Sequence, residues 1–407
     1  MNRGANSLSL PNDLIPEILS RLPAKSIRRF RCVSKLWASI ICRQDFTELF
    51  HTRSSSNPRL LIGVEQDGEW SFFSSPQPQS HYEKSSLVIA DSFHMKFTKD
   101  MYPYYCKYVS GLTYFPNTRI SKDGGTKKMW SPKDGDYKVR VICNPSTGQY
   151  AILPPDLNKN FDGFLGFDPI GKQFKVLVLS NRVSDELSFD ILTLGTENMR
   201  WRNIQCPLPH YPHFWSGEIC INGVLYYLTQ SPVDIYDVVV CFDVRSEKFR
   251  YLNLNSDCPS RSWATKLINY KGKLGVINFE DDYDGGFPLK LCMWVVTDVV
   301  KHEWTAYAYT LRAENKVNRI DFISIVGVTA SGEIVLANNI ASKPLYVFYF
   351  NPERNTLQSV EIEGVRVEKK SVLYYYFVDH VEDLRFDVMK TTYAATSISE
   401  PEQSTST

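Results

Sequence analysis

The decisive stretch runs from Leu10 to Trp37, LPNDLIPEILSRLPAKSIRRFRCVSKLW. Leu14, Ile18 and Leu22 recur every four residues, with Ile15 and Leu19 beside them. Asn12, Asp13, Glu17, Ser20 and Arg21 fall opposite, the pattern of an amphipathic helix. Asn12 and Asp13 suit its start, where a side-chain oxygen can cap free N–H groups. Pro16 is tolerable if the helix begins near Asn12, because its missing N–H then falls in the first turn. Pro23 forbids continuation, so Leu22 is the expected stop. A second helix is expected from Ala24 to about Arg31, burying Ile27 and Phe30. Ser34 should cap a third, with Leu36, Trp37, Ile40 and Ile41 on one face. Three short helices hold too little chain to bury a stable core by themselves. Their surplus apolar surface therefore calls for a partner.

Leu10-Pro11, Leu14, Ile18-Leu19, Leu22-Pro23, Ser26, Cys32-Val33-Ser34-Lys35 and Trp37 together resemble an F-box. The resemblance spans about forty residues. It implies docking onto the Skp-type adaptor of an SCF (cullin–RING) ubiquitin ligase. The adaptor contacts it implies are Leu10, Pro11, Leu14, Ile18, Leu19, Leu22, Pro23, Ser26, Val33 and Trp37. The rival reading is a helical cap packed on the chain's own body. Residues 1–50 carry eight Lys/Arg against four acids, a net of +4 that includes Arg28, Arg29 and Arg31. No zinc or basic-zipper pattern accompanies them, so a solvated basic face is expected rather than nucleic-acid binding. Such a face would also complement an acidic adaptor.

The chain has 407 residues and a formal net charge of +1, which implies neither a polyanion nor a membrane surface as partner. Met1 to Ser9 is polar and lacks the form of a secretory signal, and apolar runs such as Leu345–Phe350 are far too short to span a bilayer. The nine cysteines include no C-x-x-C pair, and no glycosylation acceptor exists because Asn144 precedes proline. Free thiols in cytoplasm or nucleus are the expectation.

Aromatic residues make up 13% of the chain, which suits strands. A turn grammar recurs: Asp or Asn, then an aromatic or apolar residue six positions on. It appears as Asn144–Tyr150, Asp243–Phe249, Asp298–Trp304 and Asn351–Leu357, with Gly195–Trp201 as a glycine variant and Asp91–Phe97 as a sixth. Successive starts from Asp91 are 53, 51, 48, 55 and 53 residues apart. That period is the length of a four-stranded propeller blade of kelch type. A second series, Gly68, Gly111, Gly171, Gly223, Gly272 and Gly332, alternates with the first, as hairpin glycines would. Six blades are expected, five or seven remaining open, with the last strand pairing into the first blade to protect its edge.

The body resembles the F-box-associated domain of plant F-box proteins, of type 3, kelch-like. Val141-Ile-Cys-Asn-Pro-Ser-Thr-Gly-Gln-Tyr150 with Leu153-Pro-Pro155, Gly163-Phe-Leu-Gly-Phe-Asp168 and Cys241-Phe-Asp-Val-Arg-Ser-Glu-Lys-Phe249 carry this likeness. The expected organisation is α+β multidomain: a three-helix F-box over 1–50, a polar linker over 51–58, an all-β propeller over 59–389 and a disordered tail over 390–407.

Motifs for chemistry are sparse. Ser121-Lys-Asp123-Gly-Gly125 with Trp130 loosely matches a sialidase Asp box, occurs once, and fits a hairpin better. Glu280 to Gly285 opens like a calcium loop, but Leu291 stands where a carboxylate must. His210 and His213 lack further nearby ligands for zinc. No phosphate-binding glycine loop and no Ser/His/Asp set can be assembled. Tyr104, Tyr211 and Trp215, in aromatic loops, are the candidate substrate contacts. The expected function is a non-catalytic SCF substrate receptor, without cofactor or metal, whose propeller binds a target protein. The alternative is a carbohydrate-binding or hydrolytic propeller with a helical cap.

Overall fold

Four of the turn series, Asn144, Asp243, Asp298 and Asn351, act as caps on tight hairpins. Asn144 Oδ1 accepts the backbone N–H groups of Ser146 at 3.0 Å and Thr147 at 3.2 Å. Asp298 Oδ1 accepts those of Val300 at 2.8 Å and Lys301 at 3.0 Å. Asn351 Oδ1 takes Glu353 at 3.1 Å and Arg354 at 3.0 Å, and Asp243 Oδ1 takes Ser246 at 2.6 Å. Short side chains with an accepting oxygen do this best, and each such bond stabilises the turn by about 1 kcal/mol. The fifth residue is left-handed in all four: Gly148, Glu247, His302 and Asn355. The side chains six positions on, Tyr150, Phe249, Trp304 and Leu357, then pack between neighbouring sheets. Asp91 departs from this grammar, since it opens the strand Asp91–Met95 rather than a turn.

The glycine series marks the other hairpins. Ser110-Gly111, Asn222-Gly223 and Lys271-Gly272 each place two successive residues at positive φ, the requirement of a type I′ turn. Gly171 differs: Lys172 is the left-handed residue (φ +52), and the Asp168 carboxylate sits against the place where a Cβ on Gly171 would lie. Space, not φ, requires glycine there.

The computed structural model describes residues 13–66, 69–78, 86–88, 91–95, 101–103, 106–120, 137–155, 163–180, 188–196, 199–208, 210, 212, 217–230, 237–254, 258, 265–280, 287–312, 323–339, 344–364 and 372–391. Four helices come first: α1 (Leu14–Leu19), α2 (Ala24–Phe30), α3 (Lys35–Ile41) and α4 (Gln44–Ser55). Six antiparallel sheets follow as the blades of a propeller. Blade 1 holds Arg59–Gln66, Glu69–Pro76 and Asp91–Met95. Blade 2 is built on Leu112–Ile120, Tyr137–Asn144 and Gln149–Ile152, with Met101–Pro103 and Lys107–Val109 both pairing Leu112–Ile120. Blades 3, 4 and 5 begin at Gly163, Glu218 and Lys266, and end with Arg202–Gln205, Lys248–Asn253 and Glu303–Leu311. Blade 6 runs from Ile323–Val328 to Thr356–Glu363, with Ser86–Val88 added in parallel on its outer edge.

Ring closure is as expected. Leu373–His380 pairs antiparallel with Arg59–Gln66, matching Leu61 to Phe377 and Val64 to Tyr374, so the last strand completes blade 1. Trp70, 1% exposed, packs against Phe72, Phe115 and Tyr375 across this seam.

Two boundaries shift. Residues 51–55 of the expected linker are helical: α4 buries Phe46 and Phe50 and leaves its polar residues at the surface. The head thus has four helices, and the connection is residues 56–58. Lys390 and Thr391 complete a 3₁₀ turn, Val388–Thr391, and the rest of the expected tail lies outside the described residues.

Closure makes a clear prediction. A chain ended after Gly364, lacking Leu373–His380, should lose its cooperative thermal transition and bind a hydrophobic dye. If it melts at the full-length temperature by circular dichroism, the ring does not depend on this strand.

Candidate adaptor-docking site

The apolar stripe of α1 divides between two environments. Ile15 and Leu19 are buried, while Leu14 and Ile18, one residue earlier, are each 46% exposed. Residues four apart share a helix face, so α1 shows one apolar face to its own core and a second to solvent. Ile15 and Leu19 pack with Ala24, Ile27, Ile40, Ile41, Phe46 and Phe50. Val33, at 61%, and Leu36, at 48%, complete the large exposed apolar side chains among the described residues of the head. Covering a half-exposed Leu, Ile or Val recovers about 1 kcal/mol each, so a partner spanning these four would gain several.

Several expectations about the head change. Asp13 precedes α1 but makes no side-chain cap bond, and the helix stops at Leu19 rather than Leu22. Pro16 lies in the first turn as required, and its carbonyl accepts the Ser20 N–H at 2.9 Å. Ser34 does cap α3, accepting the Trp37 N–H at 3.1 Å. Leu19, assigned to the adaptor contact, is buried in the head and cannot serve it. Leu22 and Trp37 are half-buried, Trp37 edge-on to Phe30 at 5.1 Å. Pro23 is exposed and Ser26 half-buried. Leu36, expected on one face with Trp37, Ile40 and Ile41, is exposed, whereas Ile40 and Ile41 are buried. Leu10 and Pro11 lie outside the described residues, as do the candidate substrate contacts Tyr104, Tyr211 and Trp215.

The head is seated by α2, α4 and the segment after the closing strand. Glu382 accepts the Ala24 N–H at 3.1 Å, and its own N–H donates to Ser54 Oγ at 2.8 Å. Leu384 packs into the head core. Lys172 pairs with Glu48 at 2.9 Å, and the Arg28 guanidinium donates to the Thr147 carbonyl. Arg28 is therefore a structural contact to blade 2. A cleft of about 640 Å³ remains at this junction, lined by residues including Arg21, Lys25, Arg53, Arg59, His380 and Glu382.

His380 lies between Tyr108, whose hydroxyl is 2.8 Å from Nδ1, and Ser146, whose Oγ is 3.0 Å from Nε2. A serine–histidine contact beside a cleft invites a hydrolase reading, but the orienting group is a tyrosine rather than a carboxylate. Burial, reinforced by Arg59, pushes the imidazole down to about 3, so it stays neutral. The contact ties the closing strand to blade 2. On the innermost strands, Glu218 is buried in an ion pair with Lys107 at 2.8 Å. Lys266, donating to the Ile325 carbonyl at 2.8 Å, is lowered to about 8 by burial. Glycoside hydrolysis needs two carboxylates facing one site, and Glu218 is held by a lysine instead. His210 is occupied by Tyr227 and the Leu208 carbonyl, and no metal-binding group of His, Cys, Asp or Glu occurs among the described residues. No described helix is long and apolar enough to cross a membrane.

The family model for the F-box domain matches residues 7–49, and that for the F-box associated beta propeller domain matches residues 59–381. An Arabidopsis thaliana protein provisionally named an F-box protein is 55% identical over 408 residues, covering 98% of each chain. A second Arabidopsis thaliana chain, named an F-box protein, is 53% identical over 407 residues, 100% of this chain and 90% of that one. Among solved structures, TolB from Acinetobacter baumannii superposes with a TM-score of 0.41 at 8% identity, covering 84% of this chain and 73% of that one. AztD from Citrobacter koseri gives 0.33 at 13%, covering 79% and 98%. Likenesses that distant carry no argument.

The buried histidine predicts a pH dependence. The imidazole titrates near 6.5 when unfolded and near 3 when folded. Between those values the unfolded chain binds the proton and the native chain does not, so acidification favours unfolding. Stability should fall by up to about 1.4 kcal/mol per pH unit from this group below pH 6.5. His380→Gln should flatten that slope in urea unfolding followed at several pH values. Equal slopes in both proteins would mean that His380 titrates freely in the fold.

Proposed function

Because the chain belongs to the F-box proteins that carry an F-box-associated β-propeller domain, we propose that it is the substrate-recognition subunit of an SCF-type ubiquitin ligase. The head docks the Skp-type adaptor, the propeller presents its loops to a target protein, and other subunits supply the chemistry. One observation carries this reading. Leu14, Ile18, Val33 and Leu36 stay exposed on a head whose own core is already filled by Ile15, Leu19, Ile27 and Phe50. Exposed apolar side chains in a cluster of short helices are interface material. A fixed seat also suits a receptor, because the adaptor and the target must be held at constant separation. The cytoplasm or nucleus, where cysteines stay reduced, is the compartment this role needs.

Co-expression with a plant Skp-type adaptor tests the reading. Wild-type chain should co-purify with it, and Leu14→Ala with Ile18→Ala should weaken binding at least ~10-fold, equivalent to about 1.4 kcal/mol. Because both residues are half-exposed, the melting temperature should barely change. Undiminished binding in a well-folded double variant would remove α1 from the docking surface.

A further inference from the structure

Propeller blades leave an outer strand at the rim, and an unpaired strand edge is a template for another strand. Most rims here are blunted. The outer strands of blades 2 and 3 are four residues long, Gln149–Ile152 and Arg202–Gln205. That of blade 4, Lys248–Asn253, carries Lys248 and Arg250. Blade 6 has its edge covered by Ser86–Val88.

Blade 5 lacks each of these protections. Its outer strand, Glu303–Leu311, has nine residues, about 30 Å of edge, with no charged side chain from Trp304 to Leu311. No described strand pairs on its outer side. Thr305, Ala306, Ala308 and Thr310 are exposed, and Tyr307 is 40% exposed. The preceding turn adds Val299 at 53% and Val300 at 89%. Of the five large apolar side chains exposed on the described propeller, this one hairpin supplies three, Val299, Val300 and Tyr307.

We propose that this edge pairs antiparallel with the same edge of a second copy of the chain, joining two receptors rim to rim. The strand is self-complementary. A two-fold axis normal to the sheet keeps each side chain on its own face, so residues of like parity meet. Centred on Ala308, Tyr307 of each copy faces Tyr309 of the other, Ala306 faces Thr310 and Thr305 faces Leu311. No like charges oppose. Tyr307 and Tyr309 already lie parallel within one strand, with centroids 6.3 Å apart, so pairing makes a ladder of four rings. Centring on Tyr307 instead gives a single tyrosine pair, and cross-strand aromatic pairs are the more favourable contacts. One strand edge is smaller than the ~800 Å² per partner of a standard interface, so association is expected at micromolar concentration. A target segment adding to this edge would use the same backbone groups and is an outcome the test separates.

Sedimentation equilibrium of the full chain up to ~100 µM should show the mass rising from one copy toward two. Ala306→Lys with Ala308→Lys should weaken association at least ~10-fold at an unchanged melting temperature, as charges on native edges do. Leu14→Lys with Ile18→Lys should leave it intact, which separates the rim from the head. Under mild oxidation Ala308→Cys should give a dimer linked 308 to 308, and Thr305→Cys should not. A single copy throughout the range overturns the proposal. So does association that survives the lysine pair, or is lost only with the head variant. If the lysine pair fails to fold, the Ala308→Cys linkage decides: its absence is a negative result for the rim dimer.

Discussion

The pairing of Leu373–His380 with Arg59–Gln66 is the constraint on which the rest depends. A six-bladed ring has no covalent closure, so some strand must bridge its two ends, and here a C-terminal strand completes an N-terminal blade. The seam is sealed by Trp70 packed among Phe72, Phe115 and Tyr375, with His380 reaching to Tyr108 and Ser146 of the next blade. Backbone bonds supply direction and register, and side chains on both faces, aromatic on one and largely aliphatic on the other, supply the burial. Across the ring, the Lys107–Glu218 pair ties blade 2 to blade 4. A buried pair of that kind adds little net stability, since two charges must be stripped of water, but it penalises any arrangement that leaves one unpartnered.

The head follows a different economy. Its four helices bury enough to form one small cluster and no more, with Ile15, Leu19 and Phe50 at its centre and Leu384 contributed by the far end of the chain. Leu14 and Ile18 fall outside that cluster because α1 has only six residues and one face to spend inward. A helix this short is held by what it packs on, not by its intrinsic propensity. Its inner face meets the chain and its outer face meets solvent.

Much of this was readable from sequence, and the legible parts are local. The Asp and Asn of Asp243–Phe249 or Asn351–Leu357 act on backbone groups two or three residues away, so their spacing shows the blade period. Ser34 as a cap is equally short-range. What stayed hidden was decided at a distance. Helix α4 reads as a polar linker because Thr52, Arg53, Ser54 and Ser55 are hydrophilic, yet Ser54 accepts from the Glu382 N–H and Arg53 from α4 reaches Glu17 on α1. Whether Leu14 or Leu19 faced inward could not be told from a stripe that contains both. The parallel addition of Ser86–Val88 to blade 6 and the pairing of Lys107 with Glu218 join residues too far apart for any periodicity to register.

The seat of the head is made by Glu382 and Leu384, which lie just after the closing strand. During vectorial synthesis the helices leave the ribosome first, while the residues that fix their orientation emerge more than three hundred positions later. The helices are thus made early and aimed last. A nascent or prematurely stopped polypeptide carries the helices without their bearing, so correct presentation of the head reports that translation has run through the whole ring.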